Sequence, residues 1–101
     1  MELSELQSEV DEWLREIGGY WDRFQILARL TEELGEVAAA LQRQEGLRPR
    51  RVETDLEGEV GDLLFTVAAF ANVMNLDLQR SFRRTMQKYR ARDGQAWQDN
   101  K

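Results

Sequence analysis

Two short strings concentrate the side chains able to do chemistry. TEELGEV carries Glu32, Glu33 and Glu36, and DLEGEVGDLL carries Asp55, Glu57, Glu59 and Asp62. The chain has no histidine and no cysteine. Imidazole acid–base catalysis, thiolate nucleophiles, disulfides and zinc–thiolate sites are therefore excluded. What remains is oxygen chemistry, with carboxylates holding a hard divalent ion such as magnesium, manganese or calcium. Helix positions three apart are neighbours on one face, so Glu33 with Glu36, and Glu59 with Asp62, can each form a two-carboxylate jaw.

Glutamate is a good helix former and most exposed helix faces carry it, so an isolated ExxE is ordinarily a solvated surface. Placement distinguishes these four. At ~100° per residue, Glu59 projects within roughly 40° of Leu63 and shares that sector with Leu56, Val67 and Phe70. Asp62 lies on its shoulder. Glu33 lies just outside the apolar stripe of its own helix, beside Ile26 and Ala40, and Glu36 is further round. A core-facing carboxylate without a partner is costly, and neighbouring like charges raise the cost. A divalent cation relieves both. No basic residue stands within helical reach of Glu59, whose neighbours are Asp55, Leu56, Asp62 and Leu63. Gly58 and Gly61 flank the acids, and each costs about 1 kcal/mol against alanine in a helix. Close helix packing or room for a bulky ligand would account for them.

The elements that must position these acids are helices. Apolar residues recur at helical spacing and strand-like alternation is absent. The pattern predicts a first helix over about Ser4–Ile17, with Ser4 and Gln7 as a capping box and a stripe of Leu6, Val10, Trp13, Leu14 and Ile17. Gly18 and Gly19 end it. A second helix from Trp21 or Arg23 to Gln44 presents Ile26, Leu27, Leu30, Leu34, Val37, Ala38 and Leu41, and stops at Gly46. The loop EGLRPRR follows, with the only proline. A third helix from Glu53 or Thr54 to about Met74 carries Leu56, Val60, Leu63, Leu64, Val67, Phe70, Ala71 and Met74, with Asn75 as its end signal. A fourth, from about Leu78 to Arg92, carries Phe82, Met86 and Tyr89. A polar tail is expected from about residue 93. Short loops imply antiparallel neighbours in an all-α four-helix bundle, one domain over residues 1–101. A domain this small buries a modest core, so self-association is expected.

These strings resemble the MazG-like branch of the all-α nucleotide pyrophosphohydrolases. The resemblance rests on Glu32-Glu33-Leu34-Gly35-Glu36 followed by Glu59-Val60-Gly61-Asp62, on the flanks ARLTEELGEVAAAL and EGEVGDLLFTVAAFANVMNLDL, and on KYRARD. It covers about Tyr20 to Trp97 and is closest to short single-domain members. It implies a helical bundle assembled as a dimer or dimer of dimers. It also implies hydrolysis of nucleoside triphosphates to monophosphate and pyrophosphate, in the service of nucleotide-pool house-cleaning. Mg2+, with Mn2+ as a substitute, would be held by Glu33, Glu36, Glu59 and Asp62. Glu32 is the candidate to orient water or take its proton. Lys88 and Arg92, four apart on one helix face, would meet phosphate oxygens. Asn72 would hydrogen-bond base or sugar, and Trp21 would stack on a base. The chain departs from many relatives in carrying Met86 where they have an asparagine, and in a short segment between Trp21 and Glu32.

Charge narrows the partners. The formal net charge is −5, with basic residues gathered at Arg48–Arg51 and Arg80–Arg92. That suits a small polyanion and not a long nucleic-acid track. No apolar run approaches the roughly 20 residues of a membrane span, and MELSELQSEVDEW lacks the apolar core of a signal peptide. A cytoplasmic enzyme is expected. The alternatives are a dUTP, dCTP or phosphoribosyl-ATP pyrophosphohydrolase on the same fold, or a non-catalytic helical interaction module. A ferritin-like di-iron bundle would need histidines that are absent.

Overall fold

The computed structural model describes residues 1–50 and 55–99, with side chains through Gly94. Four helices run in order: α1 (Leu3–Glu16), α2 (Arg23–Gln44), α3 (Leu56–Val73) and α4 (Leu78–Asp99). The all-α, four-helix expectation is met. Glu53 and Thr54, the expected start of α3, lie outside the described residues.

Local chemistry explains most boundaries. Asp22 caps α2, its carboxylate accepting from Phe24 N at 2.8 Å and Gln25 N at 3.1 Å. Asp55 caps α3 by accepting from Gly58 N at 2.7 Å. Each satisfies amides that have no partner inside the helix. α3 ends where Asn75 takes φ 56°, a left-handed conformation asparagine tolerates. The expected capping box on α1 does not form. The N-cap is Glu2, without a side-chain bond, because Gln7 reaches across the fold instead. Its Nε2 donates to Asn72 Oδ1 at 2.9 Å and Leu76 O at 2.8 Å, and its Oε1 accepts from Leu78 N at 2.9 Å. The fourth helix also runs past its expected end at Arg92, to Asp99. The sequence beyond Arg92 contains one glycine and no proline, too little to stop it.

The core forms where α1 and α2 meet α3. Val10, Ile26, Ala68 and Ala69 are buried, backed by Leu6, Leu14, Tyr20, Phe65, Phe70, Val73 and Leu78. α2 and α3 share the most extensive packing, while α4 packs chiefly on α1. α4 turns from the direction of α3 by 105°, so it is not an antiparallel partner of α3. The Cα radius of gyration is 16.9 Å, against about 13 Å for a compact chain of this length.

The apolar face read from α2 divides in two. Ile26 is buried with Glu33, Ala39 and Ala40. Leu27, Leu34 and Leu41, spaced seven apart, stay exposed at 49, 59 and 47 %. The buried side of α2 is the narrow row of Ile26, Glu33, Ala39 and Ala40, and the leucine stripe is left on the outside. Among the described residues no single helix is long and apolar enough to cross a membrane.

Candidate metal centre

The seam between α2 and α3 brings the acids together. Glu33 comes from the middle of α2, and Glu59 and Asp62 come from the first turns of α3. Each offers one carboxylate oxygen, and the three oxygens lie within 4.8 Å of one another. Glu59 is 5 % exposed and Glu33 9 %, while Asp62 faces solvent. Burial beside other acids pushes the Glu59 carboxyl above its ordinary range. Loss of hydration is the largest cause, followed by repulsion from Asp62, Glu36 and Glu33, with Arg43 partly offsetting them. Glu59 has no hydrogen-bond donor or salt-bridge partner among the described residues.

This arrangement fits a divalent cation on its own terms. Three hard oxygen donors converge from two rigid elements, and the most buried of them has no bonded counter-ion among the described residues, Arg43 offsetting its repulsion only in part. Glu36 is exposed and stands outside the converging trio, close enough to act on Glu59 through space. The spacing that pairs it with Glu33 therefore places it at the rim.

The remaining expected site residues are dispersed. Glu32 is exposed and borders a shallow depression with Trp21, Gln25, Ala28 and Arg29. Trp21 is 56 % exposed, and the Arg29 guanidinium carbon lies 5.2 Å from its ring centroid. Asn72 sits ten residues, roughly 15 Å, along α3 from Asp62. Its Nδ2 donates to Gln7 O at 2.9 Å and to Tyr20 Oη at 3.1 Å. Both amide protons are thus committed to the fold. On α4, Arg92 makes two bonds to Asp93, at 2.7 and 3.0 Å, and Lys88 Nζ lies 5.0 Å from the Tyr89 ring centroid.

Trp13, expected in the core, lines the space beside the acids together with Arg29, Phe65 and Thr66, which carried no expectation. A cavity of about 400 Å³ is bounded by Trp13, Trp21, Arg29, Glu33, Asp62, Phe65 and Thr66. Trp13 and Phe65 meet edge to face, with centroids 5.7 Å apart. Arg29 Nε donates to Glu33 Oε1 at 3.0 Å. The i, i+4 spacing of Arg29 and Glu33 was a legible signal for that pair. Nothing in the α1 pattern separated Trp13 from its core neighbours.

An all-helical fold whose central helices converge carboxylates beside an aromatic cavity is compatible with a hydrolase acting on phosphoanhydrides. The family model for the MazG nucleotide pyrophosphohydrolase domain matches residues 22–97. The chain belongs to this family and is a hydrolase of its kind. It is 34 % identical over 99 residues to the uncharacterised protein YpjD of Bacillus subtilis strain 168, covering 94 % of this chain and 89 % of that one. Two solved structures share the fold. The YpjD crystal structure from Bacillus subtilis, described as that of a pyrophosphatase candidate, aligns with TM-score 0.77 at 33 % identity, covering 88 % of this chain and 95 % of the other. A Bacillus-conserved MazG protein, a nucleotide pyrophosphohydrolase, aligns with TM-score 0.78 at 34 % identity, covering 92 and 94 %. Membership in a hydrolase family sets aside the non-catalytic module.

Proposed function

We propose that this chain hydrolyses nucleoside triphosphates to monophosphate and pyrophosphate, with Mg2+ held by Glu33, Glu59 and Asp62 and with Glu36 completing the set from the rim. The observation that carries the reading is the trio itself: oxygens within 4.8 Å of one another, the most buried of them without a hydrogen-bond or ion-pair partner among the described residues. A cation there would neutralise phosphate oxygens and lower the pKa of bound water. Mn2+ would substitute, since it accepts the same oxygen donors.

The protein's own groups supply the rest. The helices hold the carboxylates before substrate arrives, so little reorganisation accompanies reaction. Trp13, Trp21 and Phe65 offer an apolar space for a base beside the acids. Glu32, one residue from Glu33, is the proposed group to orient the attacking water. Lys88 and Arg92 would meet phosphate oxygens from a second copy of the chain, because α4 packs chiefly on α1. The exposed heptad of Leu27, Leu34 and Leu41 supports self-association, since an apolar stripe of that spacing suits a helix–helix seam. Clearance of surplus or non-standard nucleotides is the proposed purpose.

The test is incubation of purified protein with a panel of nucleoside triphosphates, including dUTP, dCTP and phosphoribosyl-ATP, in Mg2+. Pyrophosphate release is resolved from release of single phosphate. Pyrophosphate release that is abolished by chelation and by Glu59→Ala is expected. Single-phosphate release, or turnover indifferent to Glu59→Ala, would overturn the assignment.

A further inference from the structure

Among the described residues Arg29 is the cation bonded to the acidic trio, and its role does not follow from helix stability. Arg29 precedes Glu33 by four residues, the less favourable order for an i, i+4 ion pair. The Arg29 side chain is 47 % exposed, so the pair contributes little to folding. The Glu33 side chain is only 12 % exposed, and Arg29 Nε occupies its Oε1 at 3.0 Å. On its other side the guanidinium lies over Trp21, 5.2 Å from the ring centroid. Trp21, Arg29 and Glu33 thus form a continuous chain from the aromatic cavity to the acids, and all three line that cavity.

We propose that Arg29 is a positioning residue: it is the counter-ion of Glu33 while no metal is bound, and it transmits cation binding at the acidic trio to Trp21. This inference rests on the reading of the trio as a metal site. A divalent cation and a single guanidinium compete for the same crowded carboxylate, and the doubly charged ion prevails. Arg29 then loses its bond to Glu33 while its ring contact remains available, because stacking needs no carboxylate. The freed guanidinium presents its five N–H donors to the cavity. Metal occupancy thereby sets the polarity of the space in which the rest of the substrate sits.

The experiment reads metal binding without turnover. Calorimetric titration with Mn2+ is run on wild type, Arg29→Ala and Arg29→Lys, with melting curves confirming that each is folded. Removal of a competing cation should tighten Mn2+ binding about fivefold in Arg29→Ala, and Arg29→Lys, which keeps the charge, should fall closer to wild type. In parallel, nitrogen–proton NMR follows the Arg29 Nε–H signal, identified by its loss in Arg29→Lys, and the Trp21 indole N–H, identified by Trp21→Phe. Both should move when Mg2+ is added to wild type, and the Trp21 signal should stay in place in Arg29→Ala. Equal or weaker Mn2+ binding by Arg29→Ala, or an unchanged Trp21 response in that variant, would overturn the role of Arg29 and leave the metal site standing. Failure of wild type to bind Mn2+ would overturn both, and the wild-type titration alone shows it.

Discussion

Two polar clusters sit on α3 about three turns apart, and they are built in opposite ways. At its C-terminal end Asn72, Gln7, Tyr20 and Asp11 form a closed network. Tyr20 Oη donates to Asp11 and accepts from Asn72, and Asp11 also accepts from Arg15 at 2.9 Å. Those bonds, with Tyr20 first and Arg15 second, hold the Asp11 carboxyl below its ordinary range. Burial, then the bond to Asp11, pushes the Tyr20 phenol up. At the N-terminal end Glu59 is buried among acids, and its carboxyl is driven in the opposite direction from Asp11. One cluster pairs its polar groups with one another, while in the other Glu59 has no hydrogen-bond or ion-pair partner among the described residues and Arg43 offsets the repulsion only in part. Satisfied polar groups fix a fold, and unsatisfied ones of a single sign indicate what the protein must take from solution.

The sharpest way to break this contrast is at Glu59. Glu59→Ala should lower turnover by roughly 100-fold or more, as expected for loss of a metal ligand, while steady-state melting of the metal-free protein shows no loss of stability. A variant that is active or strongly destabilised would place Glu59 in the scaffold. Next, Mg2+ at about 100 times its Kd should stabilise wild type by about 2.7 kcal/mol, read as a rise in Tm. A Glu33→Ala, Glu59→Ala double variant should show no rise.

The other cluster should respond in the opposite sense. Asn72→Ala should cost about 2 kcal/mol in denaturant unfolding, through the unpaired groups it leaves on Gln7 and Tyr20, with Mn2+ affinity unchanged. A stable variant with impaired turnover would instead return Asn72 to the substrate. Tyr20→Phe should cost about half as much, near 1 kcal/mol.

The smallest effect is in pH. Glu59 titrates higher folded than unfolded, so between its ordinary 4.5 and its raised value the folded chain binds more protons. Metal-free stability therefore falls as pH rises through that window, and Glu59→Gln should remove the fall. Asp11 titrates lower folded than unfolded. Its contribution is complete above its ordinary 3.8 and disappears as pH falls through the lowered value. Tyr20→Phe should diminish that acid-side loss. Melting curves across pH separate the two variants.

The sequence disclosed helices and acids more readily than packing. Periodicity and Gly46 located α2 closely, and its start is fixed at Arg23 by the Asp22 carboxylate, which caps the first amides by local chemistry alone. The angular position of Glu59 followed from residues on its own helix. Which stripe of α2 meets α3 did not, since Ile26 and Leu27 are equally apolar and only the facing helix chooses between them. The pairing of Gln7 with Asn72 escaped for the same reason. Each has a familiar local or family role, but their partners are 65 residues apart in the chain. The direction of α4 also escaped, because a short loop implies an antiparallel return and the chain makes a 105° turn.

That turn has a consequence for amide hydrogen exchange. A helix anchored mainly along one neighbour can open without disturbing α2 and α3, so in the isolated protomer α4 forms its own unit of local unfolding. Its amides should exchange at a lower opening free energy than those around Ala68 and Ala69, and the order of protection should run from the α2–α3 seam outward to α4.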